Sequence, residues 1–394
     1  MSTIEEFNKY VMGTYGRLDL VLDSGEGRIA TDENGNKYID FGSGIGTNSL
    51  GYCDNEWVEA VCSQVKSIQH TSNYYYTKVQ AAFAKKLCES TGYSKVFFGN
   101  SGAEANECAI KIARKYSFDK YGKGRSIILT LTNSFHGRTI ATLSATGQDV
   151  FHNYFFPFVE DFVNVKTNDI KDLKEKLKEY DGKVCAVMFE FVQGEGGVIK
   201  LDDEFVDEIF NECEKRDILT IGDEVQTGVG RTGKLLAGEN FGKKPNITTL
   251  AKGLAGGLPI CACLADEKCS EVLVKGTHGS TFGGNPICCA GGKIVLDKVT
   301  GKGFLEEVSD KADYFRKKLE EIHEVEGVDG LGLMIGVRLK SKKAGEVLQK
   351  CFENGLLILT AKDKLRFLPP LNISYDEIDR GIEILKKVLE EKGD

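Results

Sequence analysis

Lys252 stands in the run Leu250-Ala251-Lys252-Gly253-Leu254-Ala255-Gly256-Gly257, surrounded by small and apolar residues. Desolvation lowers the pKa of a lysine and frees its amine for Schiff-base chemistry, although the same text also fits a surface lysine beside a glycine turn. A second candidate lies in Ile218-Leu219-Thr220-Ile221-Gly222-Asp223-Glu224-Val225-Gln226, an apolar strand whose carboxyl end delivers two acids and an amide. Ligands of open α/β sheets bind at that end, while a lone Asp there can equally cap a helix or turn.

Two further segments could hold an anion. Gly99-Asn100-Ser101-Gly102-Ala103-Glu104-Ala105-Asn106 follows the apolar run Val96–Phe98 and opens a helix, so its free N–H groups and positive helix end form a cradle. Ser101 with Glu104 is also a capping box, and both readings can hold together. Gly279-Ser280-Thr281-Phe282-Gly283-Gly284-Asn285-Pro286 adds two hydroxyls in a glycine-rich turn. A third glycine-rich string, Gly228-Val229-Gly230-Arg231-Thr232-Gly233-Lys234, suggests a nucleotide-dependent enzyme. Leu235 stands where a P-loop needs a hydroxyl for magnesium, and Asp223 and Glu224 would repel phosphate, so that alternative loses ground.

The elements that position these residues alternate. Apolar runs at Val96–Phe98, Ile127–Leu131, Val184–Phe189, Ile218–Ile221 and Ile260–Leu264 are separated by turns and helix-period segments, including Ala103 to Tyr116 and Glu204 to Lys215. This predicts an α/β fold with a mostly parallel sheet covered by helices, over residues 51–299. From about residue 300 long charged amphipathic stretches surround apolar runs at Leu331–Val337 and Leu356–Thr360, which predicts a smaller α+β domain over 300–394. Residues 1–50, with strand-like pieces at Arg28–Thr31 and Lys37–Phe41, are expected to pack with that small domain.

A chain of 394 residues with 41% hydrophobic and 28% charged content can bury two sizeable units. The net charge of -8, with no basic-aromatic cluster, argues against nucleic acid as a partner. No basic-then-apolar start and no bilayer-length apolar run is found, so neither secretion nor a membrane is expected. Twelve cysteines without metal-ligand spacing read as reduced and, for the most part, as small buried residues, predicting no metal and a cytoplasmic setting.

Six blocks in order carry a resemblance: Ser101 to Asn106, Phe135-His136-Gly137-Arg138-Thr139, Gln193-Gly194-Glu195-Gly196-Gly197, Asp223 to Gly228, Ala251-Lys252-Gly253, and Gly279 to Pro286. Together, from about Gly25 to the C-terminus, the chain resembles the class-III aminotransferases, fold type I enzymes that use pyridoxal 5'-phosphate. Within the family the text is most similar to the enzymes acting on N2-acetyl-L-ornithine, which implies transfer of its terminal amino group to 2-oxoglutarate. Succinyl-diaminopimelate, ornithine and 4-aminobutyrate are alternative donors for the same catalytic set. Phe191 and Asn246 depart from the usual text, as does the aromatic stretch Phe151-His152-Asn153-Tyr154-Phe155-Phe156.

The resemblance implies roles for particular residues. Lys252 is the Schiff-base lysine, and Asp223 pairs with the pyridine nitrogen. Gln226 bonds the ring hydroxyl, Phe135 stacks on the ring, and Glu224 and Val225 belong to the same cofactor-binding block. Ser101, Gly102 and Ala103 cradle the phosphate, with Thr281 reaching it from the partner of a homodimer with shared active sites. Arg138, with Ser280 nearby, takes the distal carboxylate of the substrate. Arg366 takes the α-carboxylate of glutamate or 2-oxoglutarate and is neutralised by Glu195 when the terminal-amine donor is bound. His136 is expected to pack behind the site; Glu190 is given no role, a turn cap being its plainest reading.

Overall fold

The computed structural model describes residues 1–391, so the last three positions of the expected small domain, 392–394, lie outside the described residues. A seven-stranded sheet organises the molecule. Its order from edge to edge is Lys95–Gly99, Cys261–Ala265, Ile247–Leu250, Leu219–Asp223, Val184–Phe189, Ile127–Leu131 and Phe162–Val165. Cys261–Ala265 runs antiparallel to both neighbours, and the other strands are mutually parallel. The central strands are buried at every position, because helices cover both faces. One face packs Phe189, Phe205 and Leu173, and the other packs Cys108, Ile112 and Met188.

The helix expected from Ala103 to Tyr116 runs Gly102–Tyr121. Ser101 Oγ accepts from the N–H of Glu104 and the Glu104 carboxylate accepts from the N–H of Ser101, which starts it, and Gly122 at φ 76° ends it. Two strands lack a sequence signal. Ile247–Leu250 merges with the lysine run that follows, and Phe162–Val165 is a short edge strand with a polar residue inside.

The run Leu331–Val337 resolves into an antiparallel pair, Val325–Leu331 and Met334–Leu339, because Gly332 adopts φ 56° and turns the chain. Leu356–Thr360 likewise splits. Leu356–Leu357 joins a sheet with Leu22–Glu26, Ile29–Asp32 and Lys37–Asp40, whereas Leu359–Ala361 pairs with Lys364–Phe367. N-terminal and C-terminal text therefore share one sheet. A single apolar cluster runs from Ile39 and Phe41 through Leu254 and Val295 to Phe315, Phe367 and Leu385. Among the described residues no helix is long and apolar enough to cross a membrane.

Candidate active site

A cavity of about 610 Å³ opens at the carboxyl ends of the central strands. Leu219–Asp223 and Ile247–Leu250 are adjacent and parallel, with Asp223 opposite Thr249, so Asp223 and Lys252 emerge side by side. Lys252 lines the cavity at φ 40°, a left-handed conformation that costs a non-glycine residue about 1–3 kcal/mol. Burial pushes its amine below the ordinary lysine range, and Arg366 adds to this, against the pull of Glu195, Asp223 and Glu190.

Asp223 is held from behind. Its Oδ2 lies 2.8 Å from His136 Nδ1 and accepts from Asn106 Nδ2 at 2.8 Å, while Oδ1 accepts from the N–H of Val225 at 3.1 Å. Asn106 also donates to the carbonyl of His136 and accepts from Thr249 Oγ1, both at 2.7 Å. His136 is thus a buried partner of the acid. Its Nε2 is buried without a partner among the described residues.

At the start of the Gly102–Tyr121 helix, Glu104 accepts from the N–H groups of Asn100 and Ser101. Gly102 and Ala103 line the cavity, and their N–H groups, at the first turn of the helix, find no acceptor among the described residues. A Cβ on Gly102 would come within 2.7 Å of Val225, so only glycine leaves that approach open. Ser280 Oγ accepts from Asn100 Nδ2 at 3.0 Å. Thr281 stands exposed, outside its own chain's cavity.

Gln226 lines the cavity and connects it to an ion pair. Arg366 Nη1 lies 2.6 Å from Glu195 Oε1 and 3.3 Å from Gln226 Oε1, and Gln226 Nε2 donates to Glu195 at 3.3 Å. Burial raises the Glu195 carboxyl, but the Arg366 guanidinium outweighs it and leaves the group below its ordinary range. Phe135 lines the wall beside Arg138, whose guanidinium lies over the Phe135 and Phe151 rings.

Two placements differ from expectation. The Glu224 side chain turns away from the cavity and accepts from the N–H groups of Ala237 and Gly238 at 2.5 and 3.0 Å, because alternation along an extended chain sends it to the opposite side from Asp223. Glu190 is buried on the cavity wall rather than capping a turn. Its Oε2 accepts from the N–H of Phe135 at 3.1 Å, and burial followed by the nearby Asp223 raises it well above the carboxylate range. The glycine string 228–234 forms a loop followed by a short 3-10 turn, Ala237–Phe241, with no phosphate-binding helix. Arg231 within it is buried and donates to the carbonyls of Leu333 and Pro369.

The family model for class-III aminotransferases matches residues 11–389. The chain belongs to that family. Among curated class-III relatives, the acetylornithine aminotransferase of Haemophilus ducreyi is 51% identical over 97% of each chain. An N-acetylornithine aminotransferase structure from Stenotrophomonas maltophilia aligns over 98% of both chains with a TM-score of 0.84 and 33% identity. The ornithine aminotransferase of Toxoplasma gondii, a structure with partial occupancy of PLP at its active site, aligns over 98% of this chain and 93% of its own with a TM-score of 0.92 and 31% identity.

The site in hand suits such a cofactor. It offers a desolvated amine, a fixed carboxylate, an aromatic wall and, at a helix start, two N–H groups without an acceptor among the described residues, all around one cavity.

Proposed function

We infer that this chain catalyses pyridoxal 5'-phosphate-dependent transfer of the terminal amino group of N2-acetyl-L-ornithine to 2-oxoglutarate. The products are N-acetyl-L-glutamate 5-semialdehyde and L-glutamate, a step of arginine biosynthesis. The observation that carries the substrate reading is the full-length, 51% identity to the Haemophilus enzyme. The Arg366–Glu195 pair beside Lys252 supports it physically, because an arginine meant for an α-carboxylate is already neutralised when the donor presents only a terminal amine.

When bound, the cofactor supplies an electron sink for the carbon that loses its proton. Lys252 would hold its aldehyde and later carry that proton at Nζ, a task its lowered pKa suits. Asp223, fixed by His136 and Asn106, would keep a proton on the pyridine nitrogen. Gln226 would meet the ring hydroxyl and Phe135 the ring face. Ser101, Gly102 and Ala103 would receive the phosphate, and Val225 would close the opposite side. Arg138, with Ser280, would take the distal carboxylate of the substrate. Arg366 would take the α-carboxylate of glutamate or 2-oxoglutarate once Glu195 leaves it.

The reading includes a homodimer in which Thr281 completes the partner's phosphate site. Thr281 is exposed outside its own cavity, next to exposed Phe282, and Asn73, which precedes the exposed run Tyr74, Tyr75 and Tyr76, donates to the carbonyls of Ser280 and Gly283; contiguous exposed apolar patches mark interfaces. It also includes a division into residues 1–50, 51–299 and 300–394, supported by the sheet that residues 22–40 share with Leu356–Leu357. Twelve free cysteines favour a cytoplasmic setting.

A steady-state comparison of N2-acetyl-L-ornithine, succinyl-diaminopimelate, ornithine and 4-aminobutyrate, each with 2-oxoglutarate, tests the substrate. N2-acetyl-L-ornithine should show the highest kcat/KM. A higher value for any other donor overturns that choice while leaving the chemistry intact.

A further inference from the structure

Arg138 is exposed, and among the described residues its guanidinium makes no hydrogen bond and no ion pair. It is held by rings instead. The guanidinium carbon lies 4.2 Å from the centroid of Phe151 and 5.4 Å from that of Phe135, and the two rings meet edge-on at 5.9 Å and 72°. Stacking uses the face of a guanidinium, whereas binding a carboxylate uses the N–H groups along its edge. An aromatic anchor therefore consumes none of the donors, as a hydrogen-bonding anchor would.

The chain fixes both partners to one short helix. Arg138 precedes the helix Ile140–Ala145, and Phe151 ends the 3-10 turn Asp149–Phe151 that follows it. His152 Nε2 lies 3.0 Å from the carbonyl of Leu143, and the N–H of Val159 donates to Ser144 Oγ at 2.9 Å, which ties the aromatic segment back to that helix.

We propose that Phe151 is a specificity-determining positioning residue: its ring carries the Arg138 guanidinium so that the free edge meets a carboxylate at the end of the substrate remote from the reacting amine. The inference rests on the assignment of Arg138 as receptor of that carboxylate. Phe151 favours amines bearing such a carboxylate over plain amines of the same length.

The test is the first half-reaction of the cofactor-loaded enzyme with 5-aminopentanoate and with n-pentylamine, followed by loss of the cofactor's visible band. Phe151→Leu keeps an apolar side chain but loses the π face. It should weaken the apparent affinity for 5-aminopentanoate by roughly 3- to 30-fold, with the limiting rate changed far less and n-pentylamine affected little. Phe151→Tyr should restore the affinity. Calorimetric titration with glutarate, which needs no turnover, should show the same loss and the same rescue.

Equal weakening of both amines by Phe151→Leu, or no change in their ratio while Arg138→Leu does change it, overturns the role of Phe151 alone. If Arg138→Leu leaves the ratio unchanged, the assignment of Arg138 fails and the role of Phe151 fails with it.

Discussion

Arg366 and Glu195, 171 residues apart in sequence, form an ion pair at 2.6 Å in which the arginine side chain is 5% exposed and the glutamate 30%. Gln226 touches both, so the pair is coupled to the cavity wall. A carboxylate already in place can be exchanged for one brought by a substrate, so one arginine can serve two donors of different shape. Glu195→Ala leaves Arg366 buried without its counter-charge when the terminal-amine donor binds. The half-reaction with N2-acetyl-L-ornithine should then slow by roughly tenfold or more, and the half-reaction with glutamate, which brings its own α-carboxylate, should slow much less. Rapid-mixing measurement of each half-reaction checks this. Equal losses sink the exchange.

The carboxylate of Asp223 owes its position to Asn106, whose amide reaches both Asp223 Oδ2 and the His136 carbonyl. A hydrogen bond to a charged group contributes about 1.5–3 kcal/mol. Asn106→Ala should accordingly raise the Kd for pyridoxal phosphate by roughly 10- to 100-fold, read by absorbance titration of the cofactor-free protein. Thr249→Val, which removes only the hydroxyl that donates to Asn106, should give a smaller change of the same sign. An unchanged Kd in Asn106→Ala means that His136 and the Val225 N–H suffice to hold the acid.

Burial pushes the Glu224 carboxyl up to about 7 even with two N–H groups donating to it. In the unfolded chain a glutamate releases its proton near about 4.3. Between those values the native state binds more protons than the unfolded state, so this group's contribution to stability is full below the unfolded pKa and declines as pH rises through about 7. The change is on the order of 3 kcal/mol. Glu224→Gln cannot titrate, so denaturation midpoints from pH 5 to pH 8 should fall less steeply with pH in the variant than in the parent protein. Parallel curves contradict the assignment.

Much of the site is legible in the sequence because its parts are local. The lysine among small residues, the acid at the end of an apolar strand and the capping box before a helix each carry their own physical signature, and the fold then brings Lys252, Asp223, Gly102 and Gln226 to one cavity. What the sequence leaves unread depends on distant partners. Glu190 looks like a turn cap until Phe135, 55 residues earlier, is seen donating to it. The support of Asp223 by Asn106 spans 117 residues. Arg231 sits in a string that imitates a phosphate loop, yet its partners are carbonyls more than a hundred residues on. The antiparallel course of Cys261–Ala265 is equally hidden, since strand direction leaves no mark on a short apolar run.

The most direct test of the central claim is a visible spectrum of the cofactor-loaded protein and of Lys252→Ala, before and after N2-acetyl-L-ornithine and then after 2-oxoglutarate. In the parent protein the visible band should disappear with the amine and return with the oxo-acid, and borohydride should fix the cofactor to the chain at Lys252. Lys252→Ala should show neither the covalent attachment nor the cycle. A parent protein with no such band in saturating pyridoxal phosphate, or a Lys252→Ala variant that still cycles, would contradict the account at its centre.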